Sequence, residues 1–464
     1  MKRNRIVTFF FVLGLMVCFL NPTTGAAVDD YIDIDNPQLR KIPLALPLFV
    51  PISNDPDELN MSRVVSDLFW ETLNSTGYFT MLHRNYSHKA SPDNQTSVFK
   101  KIAISGADFE KWIDSGAELL ITGGILMKGD TLEIELRTYD LYKRTLLAGK
   151  KYKGQKEDYR KMVLRFCGDL IYRLTGTEWL FKTQIAFISG RKGKKDVYVC
   201  EFDGGNPERF TFTNSITLSP AWSSDAEWIA YTSYLRGKPD IFIRHFRENR
   251  GTVISKKGVN LFPDWLPGKY AFAATLSYSG DPEIYLLTGE GKIAKRLTYS
   301  KGIDVSVSWA PDGKQFAFVS DRSGTPQIYI KDSRLNRVRR LTFQGKYNSS
   351  PNWSPRGDKV AFTGLKDGNF NIFVMGVNDK EVVQLTDKKG NNESPSWSPN
   401  ASHIAFSSSR GGDYRIYTMT AFGKNQRRLL VLPGEQTDPA WSPTRKKIKN
   451  KHIKGGKNAK KMFN

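Results

Sequence analysis

Few side chains in this 464-residue chain have the type and spacing to do covalent or metal chemistry. His83 and His88 lie five residues apart in a polar stretch, and no third ligand follows at metal-site spacing. They predict a surface loop and no metal. Of the three cysteines, Cys18 falls in an N-terminal apolar run, which leaves Cys167 and Cys200. An oxidising compartment would permit a bridge between these two. Cys167, however, sits on the apolar stripe of a predicted helix, so two separate buried thiols are expected. The chain contains no Gly-x-Ser-x-Gly elbow, no Gly-Lys-Ser/Thr phosphate loop and no His-Glu-x-x-His pair. Catalysis and cofactors are therefore not expected. What remains is recognition chemistry. Turns of the Ser-x-Arg-x-Gly type place Arg191, Arg236, Arg322 and Arg410 at recurring positions. Such a set could present guanidinium groups to acidic partner groups, or hold its own turns and pair with neighbouring carboxylates.

The recurrence belongs to a repeat that spans the C-terminal part of the chain. Trp222, Trp265, Trp309, Trp353, Trp397 and Trp441 are 43 or 44 residues apart. Pro220, Pro263, Pro351, Pro395 and Pro439 stand two residues before five of them, with Val307 as the exception. A turn follows each Trp, clearest at Pro311-Asp312-Gly313. An Ala-aromatic run comes next, such as Phe316-Ala317-Phe318, then an alternating run around Ile328-Tyr329, then Arg340-Leu341-Thr342. Four short strands every 44 residues is the period of a β-propeller blade. The Ala-aromatic strand first appears at Ile185, which has no Trp phrase before it, and Trp441 has no such strand after it. The Trp441 strand is thus expected to pair in the sheet that begins at Ile185, closing a six-bladed ring without open edges. A tryptophan present in every blade is read as core.

Residues 28–175 lack this period. Ile42–Val50 is an apolar run ended by prolines and reads as one buried strand. A helix opens at Asp55-Pro56, with Met61, Val64, Val65, Leu68 and Phe69 on one stripe. Strands are expected near Tyr78–Leu82, Glu118–Met127, Thr131–Tyr139 and Thr145–Tyr152. Further helices are expected at Ala107–Ser115 and Lys156–Leu174. The fold class is an α/β N-terminal domain followed by an all-β six-bladed propeller. The boundaries are 1–26 signal peptide, 27–36 N-terminal tail, 37–175 α/β domain, 176–444 propeller and 445–464 basic tail.

Charge supports that division. Lys2, Arg3 and Arg5 precede the apolar run Ile6–Leu20 and a small-residue stretch, the order of a cleaved export signal ending near Ala26 or Ala27. The net charge of +22 would suit a nucleic-acid binder. Nine of the basic residues, however, lie in 445–464 with no acid, and three lie in the leader, leaving +10 on residues 27–444. Nucleic acid is therefore not an expected partner. The basic tail has too few apolar residues to order itself by burial.

Tyr31-Ile32-Asp33-Ile34-Asp35, Arg40-Lys41-Ile42-Pro43, the proline-rich Leu44–Pro51 segment and the Trp-Ser-Pro phrases together resemble the TolB family of the Tol–Pal cell-envelope system. The resemblance implies a periplasmic, non-enzymatic scaffold whose propeller binds the peptidoglycan-associated lipoprotein Pal. It implies that the mature N-terminal tail, here Asp29, Asp30, Tyr31, Ile32, Asp33, Ile34 and Asp35, binds the inner-membrane protein TolA. Such a tail could add a strand to a partner's sheet, or pack on its own domain. A monomer is expected, associated with membranes only through its partners and serving outer-membrane integrity and invagination during division. The competing reading is an envelope propeller enzyme or glycan-binding protein.

Overall fold

The computed structural model describes residues 40–53, 55–82, 106–176, 180–191, 193–335, 337–379, 381–387 and 390–445. The leader, the tail 29–35, His83, His88 and residues 446–464 lie outside them.

The α/β domain is a mixed sheet with helices on both faces. Its elements are β1 (Ile42–Ala45), β2 (Val50–Pro51), α1 (Pro56–Ser75), β3 (Phe79–Leu82), α2 (Gly106–Asp114), β4 (Leu119–Lys128), β5 (Thr131–Asp140), β6 (Thr145–Gln155) and α3 (Tyr159–Thr175). The strand order is β3-β1-β4-β5-β6, with β2 beside β4. The run read as one strand from Ile42 to Val50 is two short ones. It breaks around Pro47, where the missing N–H cannot continue a ladder, and each piece pairs with a different part of β4. Asp55 caps α1 by accepting the Asp57 N–H at 2.9 Å, and Pro56 occupies the first turn. Glu58, fully buried, ties α1 to the sheet by accepting the N–H groups of Ile52, Ser53 and Met127 at 2.7–3.0 Å. Helices α1 and α3 cover one face through Phe69, Leu73, Val163, Phe166 and Leu170. Helix α2 covers part of the other through Phe109 and Trp112. Gly176, at φ +67°, ends α3 in the left-handed region that favours glycine.

The described residues from Gln184 to Trp441 form six four-stranded antiparallel sheets. Their inner strands are Thr217–Trp222, Asn260–Trp265, Asp304–Trp309, Asn348–Trp353, Asn392–Trp397 and Glu435–Trp441, which define blades 1 to 6. Glu435–Trp441 pairs with Gln184–Arg191, with Trp441 opposite Ile185, so the ring closes by joining the two ends of the repeat. The proline two residues before five of the six tryptophans has a backbone cause. Every inner strand carries a register shift at the residue pair before the last two. There Ser219, Phe262, Ser306, Ser350, Ser394 and Asp438 adopt φ of +49° to +54°. Five of these bulges place proline next, where a residue without an N–H leaves no broken ladder bond.

Blades are also joined side by side. Asp264, Ser308, Asn352 and Ser396 each accept the backbone N–H of the next blade's Trp at 2.8–3.0 Å. The two domains share one core. Cys200, Phe202, Leu429 and Trp441 pack with Phe166, Cys167, Ile171 and Leu180. Arg160 on α3 pairs with Glu201 at 2.8 Å and Asp203 at 2.6 Å. His403 Nε2 lies 3.1 Å from the carbonyl of Ser75, at the end of α1. Cys167 and Cys200 are both free and buried, and burial holds both thiols well above their ordinary pKa.

A candidate docking face on the propeller

In each blade, the turns joining strands one to two and three to four leave from one end. The two-to-three turns and the links to the next blade leave from the other. Apart from Leu429, which lies just beyond blade 5's fourth strand, the contacts with the α/β domain named above come from the first end, from blades 5 and 6. The hydrogen bond and ion pairs to the α/β domain named above do not involve the second end.

That second end is built by a local device in the fourth strand of the blade. The strand stops at the Arg, and Leu-Thr lies just beyond it. Leu297 and Leu341 enter the core. The hydroxyls of Thr211, Thr298, Thr342 and Thr386 each accept a third-strand N–H at 2.9 Å. The same hydroxyls donate to Asp196, Glu283, Gln327 and Asn371 at 2.5–3.0 Å. With the Thr turned inward, the next residue must turn out. In three blades it is aromatic: Phe212, Tyr299 and Phe343 are 72, 66 and 62% exposed. Arg209, Arg296 and Arg340 stack over these rings at 4.7–5.1 Å. Arg209 and Arg296 are in turn held by Asp196 and Glu283 at 2.6 and 2.9 Å. Ile216, Leu235, Tyr278, Ile303, Tyr347 and Val431 are exposed on the same end. The result is a crown of apolar side chains on rigid strand ends, rimmed by fixed guanidinium groups. Exposed apolar groups gathered on one face mark an interaction site. Sequence reasoning stopped one residue short: Arg-Phe-Thr-Phe, Arg-Leu-Thr-Tyr and Arg-Leu-Thr-Phe contain the aromatic at a fixed offset.

The four arginines chosen from sequence separate into two pairs. Arg322 turns inward, pairing with Asp304 at 2.7 Å and Ser320 at 2.8 Å between the rings of Phe318 and Tyr329. Arg410 does the same with Ser408, Asn392 and Gln426, each at 2.8 Å, beside Tyr417. Both brace a two-to-three turn against the inner strand. Arg191 and Arg236 are exposed. Arg236 is not equivalent to the others. It follows Ser233 by three residues where they follow their serine by two, so Leu235 takes the slot.

An axial cavity of about 240 Å³ runs between the inner strands. It is lined by the serine hydroxyls and by Asp264 and Asp438. Burial pushes the Asp264 carboxyl up to about 7, against the opposing N–H bonds from Trp309 and Trp265. Burial likewise raises Asp438, which accepts the Ser219 N–H at 3.2 Å. Among the described residues, no group of three His, Cys, Asp or Glu side chains is placed to hold a metal, and no helix is long and apolar enough to cross a membrane.

The described residues thus form a closed six-bladed propeller with an α/β domain fused to one end and an apolar, arginine-rimmed crown on the other. A family model described as the TolB beta propeller domain matches residues 171–445, and one described as the TolB amino-terminal domain matches residues 30–147. The chain belongs to the TolB family. It is 50% identical over 289 residues to the Tol-Pal system protein TolB of Desulfosudis oleivorans, a match covering 62% of this chain and 64% of that protein. It is 42% identical over 193 residues to the TolB homolog of Chlorobaculum tepidum, covering 42% of this chain and 44% of that one. The crystal structure of TolB from Acinetobacter baumannii superposes with a TM-score of 0.71 at 28% identity, over 87% of this chain and 97% of that one.

Proposed function

We propose that this chain is a periplasmic, non-catalytic scaffold of the Tol–Pal system. Its propeller binds a Pal-like peptidoglycan-associated lipoprotein through the crown. Its N-terminal tail, residues 29–35, binds a TolA-like inner-membrane protein. Through these two contacts it supports outer-membrane integrity and invagination during division. The observation that carries the reading is the crown itself: Phe212, Tyr299 and Phe343 are held outward at one end by buried threonines and clamped by arginines. Rigid aromatics paired with Arg are the side chains that dominate interface energies. Arg191 and Arg236 add exposed cations to the same end and suit an acidic rim on the partner. The opposite end already carries the α/β domain.

The test is titration of the purified lipoprotein into the full chain. Tyr299→Ala and Phe343→Ala each lower affinity about 10- to 100-fold, the range for an aromatic anchor, and leave the melting temperature unchanged because both rings are exposed. Deleting residues 29–35 leaves that affinity intact and abolishes capture of the TolA-like protein. Unchanged binding in both crown variants would overturn the docking assignment.

A further inference from the structure

Beneath the crown, the start of an inner strand meets the start of the preceding blade's third strand. In three gaps between blades this contact is an amide donating to an acceptor. Asn260 donates to Asp240 at 3.3 Å, Asn348 to Gln327 at 2.9 Å and Asn392 to Asn371 at 3.4 Å. In the gap between blades 2 and 3 the same two slots hold Asp304 and Glu283, both fully buried carboxyls. Glu283 accepts from Arg296 at 2.9 Å, the Ser300 N–H at 2.6 Å and Thr298 at 2.5 Å. Asp304 Oδ2 accepts from Arg322 at 2.7 Å, but Oδ1 is buried without a partner among the described residues. Blade 5 shows what the slot requires. There Arg410 donates to Ser408 and to Asn392 Oδ1, each at 2.8 Å, while the Asn392 amide donates onward to Asn371. The arginine brace thus works on a neutral side chain whose other corner is a donor.

We propose that Asp304 carries a proton in the folded protein, donates it in a hydrogen bond to Glu283, and so positions the Glu283–Arg296 clamp that holds Tyr299 in the crown. A buried carboxylate oxygen with no donor costs the desolvation of a charged group, whereas a hydroxyl there has an acceptor. Two carboxyls that share a site also hold one of the pair protonated. Burial raises the Asp304 carboxyl above its ordinary value; the bonds from Ser320 and Arg322 oppose this, and the Glu283 charge adds to it. The other charged and titratable groups around the pair are Arg296 and Tyr285 from blade 2, and Lys331, Asp321 and Tyr329 from blade 3. The two arginines are committed, one to each carboxyl. When the proton leaves, two buried negative charges face each other and the clamp on Tyr299 loosens. The gap's contribution to stability, and the fit of Tyr299, are therefore present at acid pH and lost as pH rises through the Asp304 titration. The effect on docking rests on the crown being the lipoprotein's site; the shared proton does not.

The experiment compares the full chain with Asp304→Asn, which copies Asn392, and Glu283→Gln, which copies Gln327. Infrared difference spectra of parent against each variant at neutral pH show the band of a protonated carboxyl in both cases, because the new amide at position 283 donates to an ionised Asp304. Thermal melts and lipoprotein titrations then run from about pH 5 to about pH 9. Relative to Asp304→Asn, the parent loses about tenfold in affinity across this range, the effect of one pK unit of coupling between the proton and the docked state. Its melting temperature falls against the variant's in the same window. Absence of the carboxyl band, or parallel melting profiles of parent and Asp304→Asn, overturns the proposal. A carboxyl band and diverging melts with parallel affinity profiles overturn the positioning role; if Tyr299→Ala is then also silent, the failure lies in the crown assignment.

Discussion

Replacing Trp441 by Ala tests whether the strand that closes the ring is more than another copy of the repeat. Trp441 and Trp353 are equivalent in their blades and similarly buried, at 8 and 6% exposure. A Trp→Ala change in a packed core costs about 3–5 kcal/mol. The two indoles differ in one respect. Trp441 Nε1 donates to Thr183 Oγ1 at 2.9 Å, a net contribution of about 1 kcal/mol. Trp353 Nε1 is buried without a partner among the described residues. Deleting an unsatisfied buried donor returns about 1–3 kcal/mol of desolvation. The Trp441 variant is thus expected to lose about 4–6 kcal/mol and the Trp353 variant about 0–4 kcal/mol. Thr183→Val removes the acceptor while keeping the indole, and with it a second bond, because the hydroxyl also donates to the carbonyl of Leu180 at 2.7 Å. That variant is expected to lose about 2–4 kcal/mol. Urea unfolding followed by far-ultraviolet circular dichroism, with the slope held common, gives the three values. If Trp353→Ala costs as much as Trp441→Ala, the hydrogen-bond argument is wrong.

Three further outcomes follow from the same geometry. Arg160→Ala leaves Glu201 and Asp203 without their guanidinium. Because the pair is partly solvated, the loss is about 1–3 kcal/mol, and a double-mutant cycle with Asp203→Ala shows coupling between the domains. The pH dependence has two opposing parts. Burial lowers His403 from 6.5 to about 4, so the unfolded chain takes the proton first and stability falls as pH drops from 6.5 towards 4. Burial raises Asp264 from 3.8 to about 7, so its contribution is largest below 3.8 and is lost as pH rises through 7. Asp264→Asn keeps an acceptor for the Trp309 N–H, as Asn352 does for Trp397. That variant becomes more stable than the parent at pH 8 and more acid-labile between pH 6.5 and 4, as thermal melts across that range would record. Finally, Arg322→Ala lowers stability by stripping the buried Asp304 of its partner, whereas Arg191→Ala leaves it unchanged; paired chemical melts distinguish a turn brace from a surface cation.

Much of this architecture was legible because a propeller repeats its instructions. The 44-residue period, the four strands per unit and the pairing of Trp441 with Ile185 all follow from which phrase lacks its other half. What the pattern hid were features decided by three-dimensional neighbours. Pro47 interrupts a run that is apolar throughout, so hydropathy alone reads one strand where the sheet has two. Arg322 and Arg410 look like surface cations until Asp304 and Asn392, 18 residues upstream of each, turn out to face them across the sheet. Arg236 resembles them by composition but is one residue out of phase, and a period-two strand turns such an offset to the other face. The crown aromatics were in plain view, yet their exposure depends on the preceding Thr being turned inward. The join between the domains involves residues as distant as Ser75 and His403, which no local pattern connects.

The closure of the ring has a consequence for how the molecule is made. Blades 1 to 5 are each assembled from consecutive residues, so each can form as soon as its segment has emerged. Blade 6 waits for its inner strand, because Ile185 meets Trp441 only after all the others have been synthesised. Until then, Gln184–Arg191 offers an unpaired edge, and the core shared with the α/β domain lacks Trp441. Completion is therefore the longest-range pairing in the ring, of the kind that chain topology makes slow. A chain stopped before Glu435 fails at the join on both sides rather than losing one blade, so proteases that meet it find an open arc in place of a finished ring.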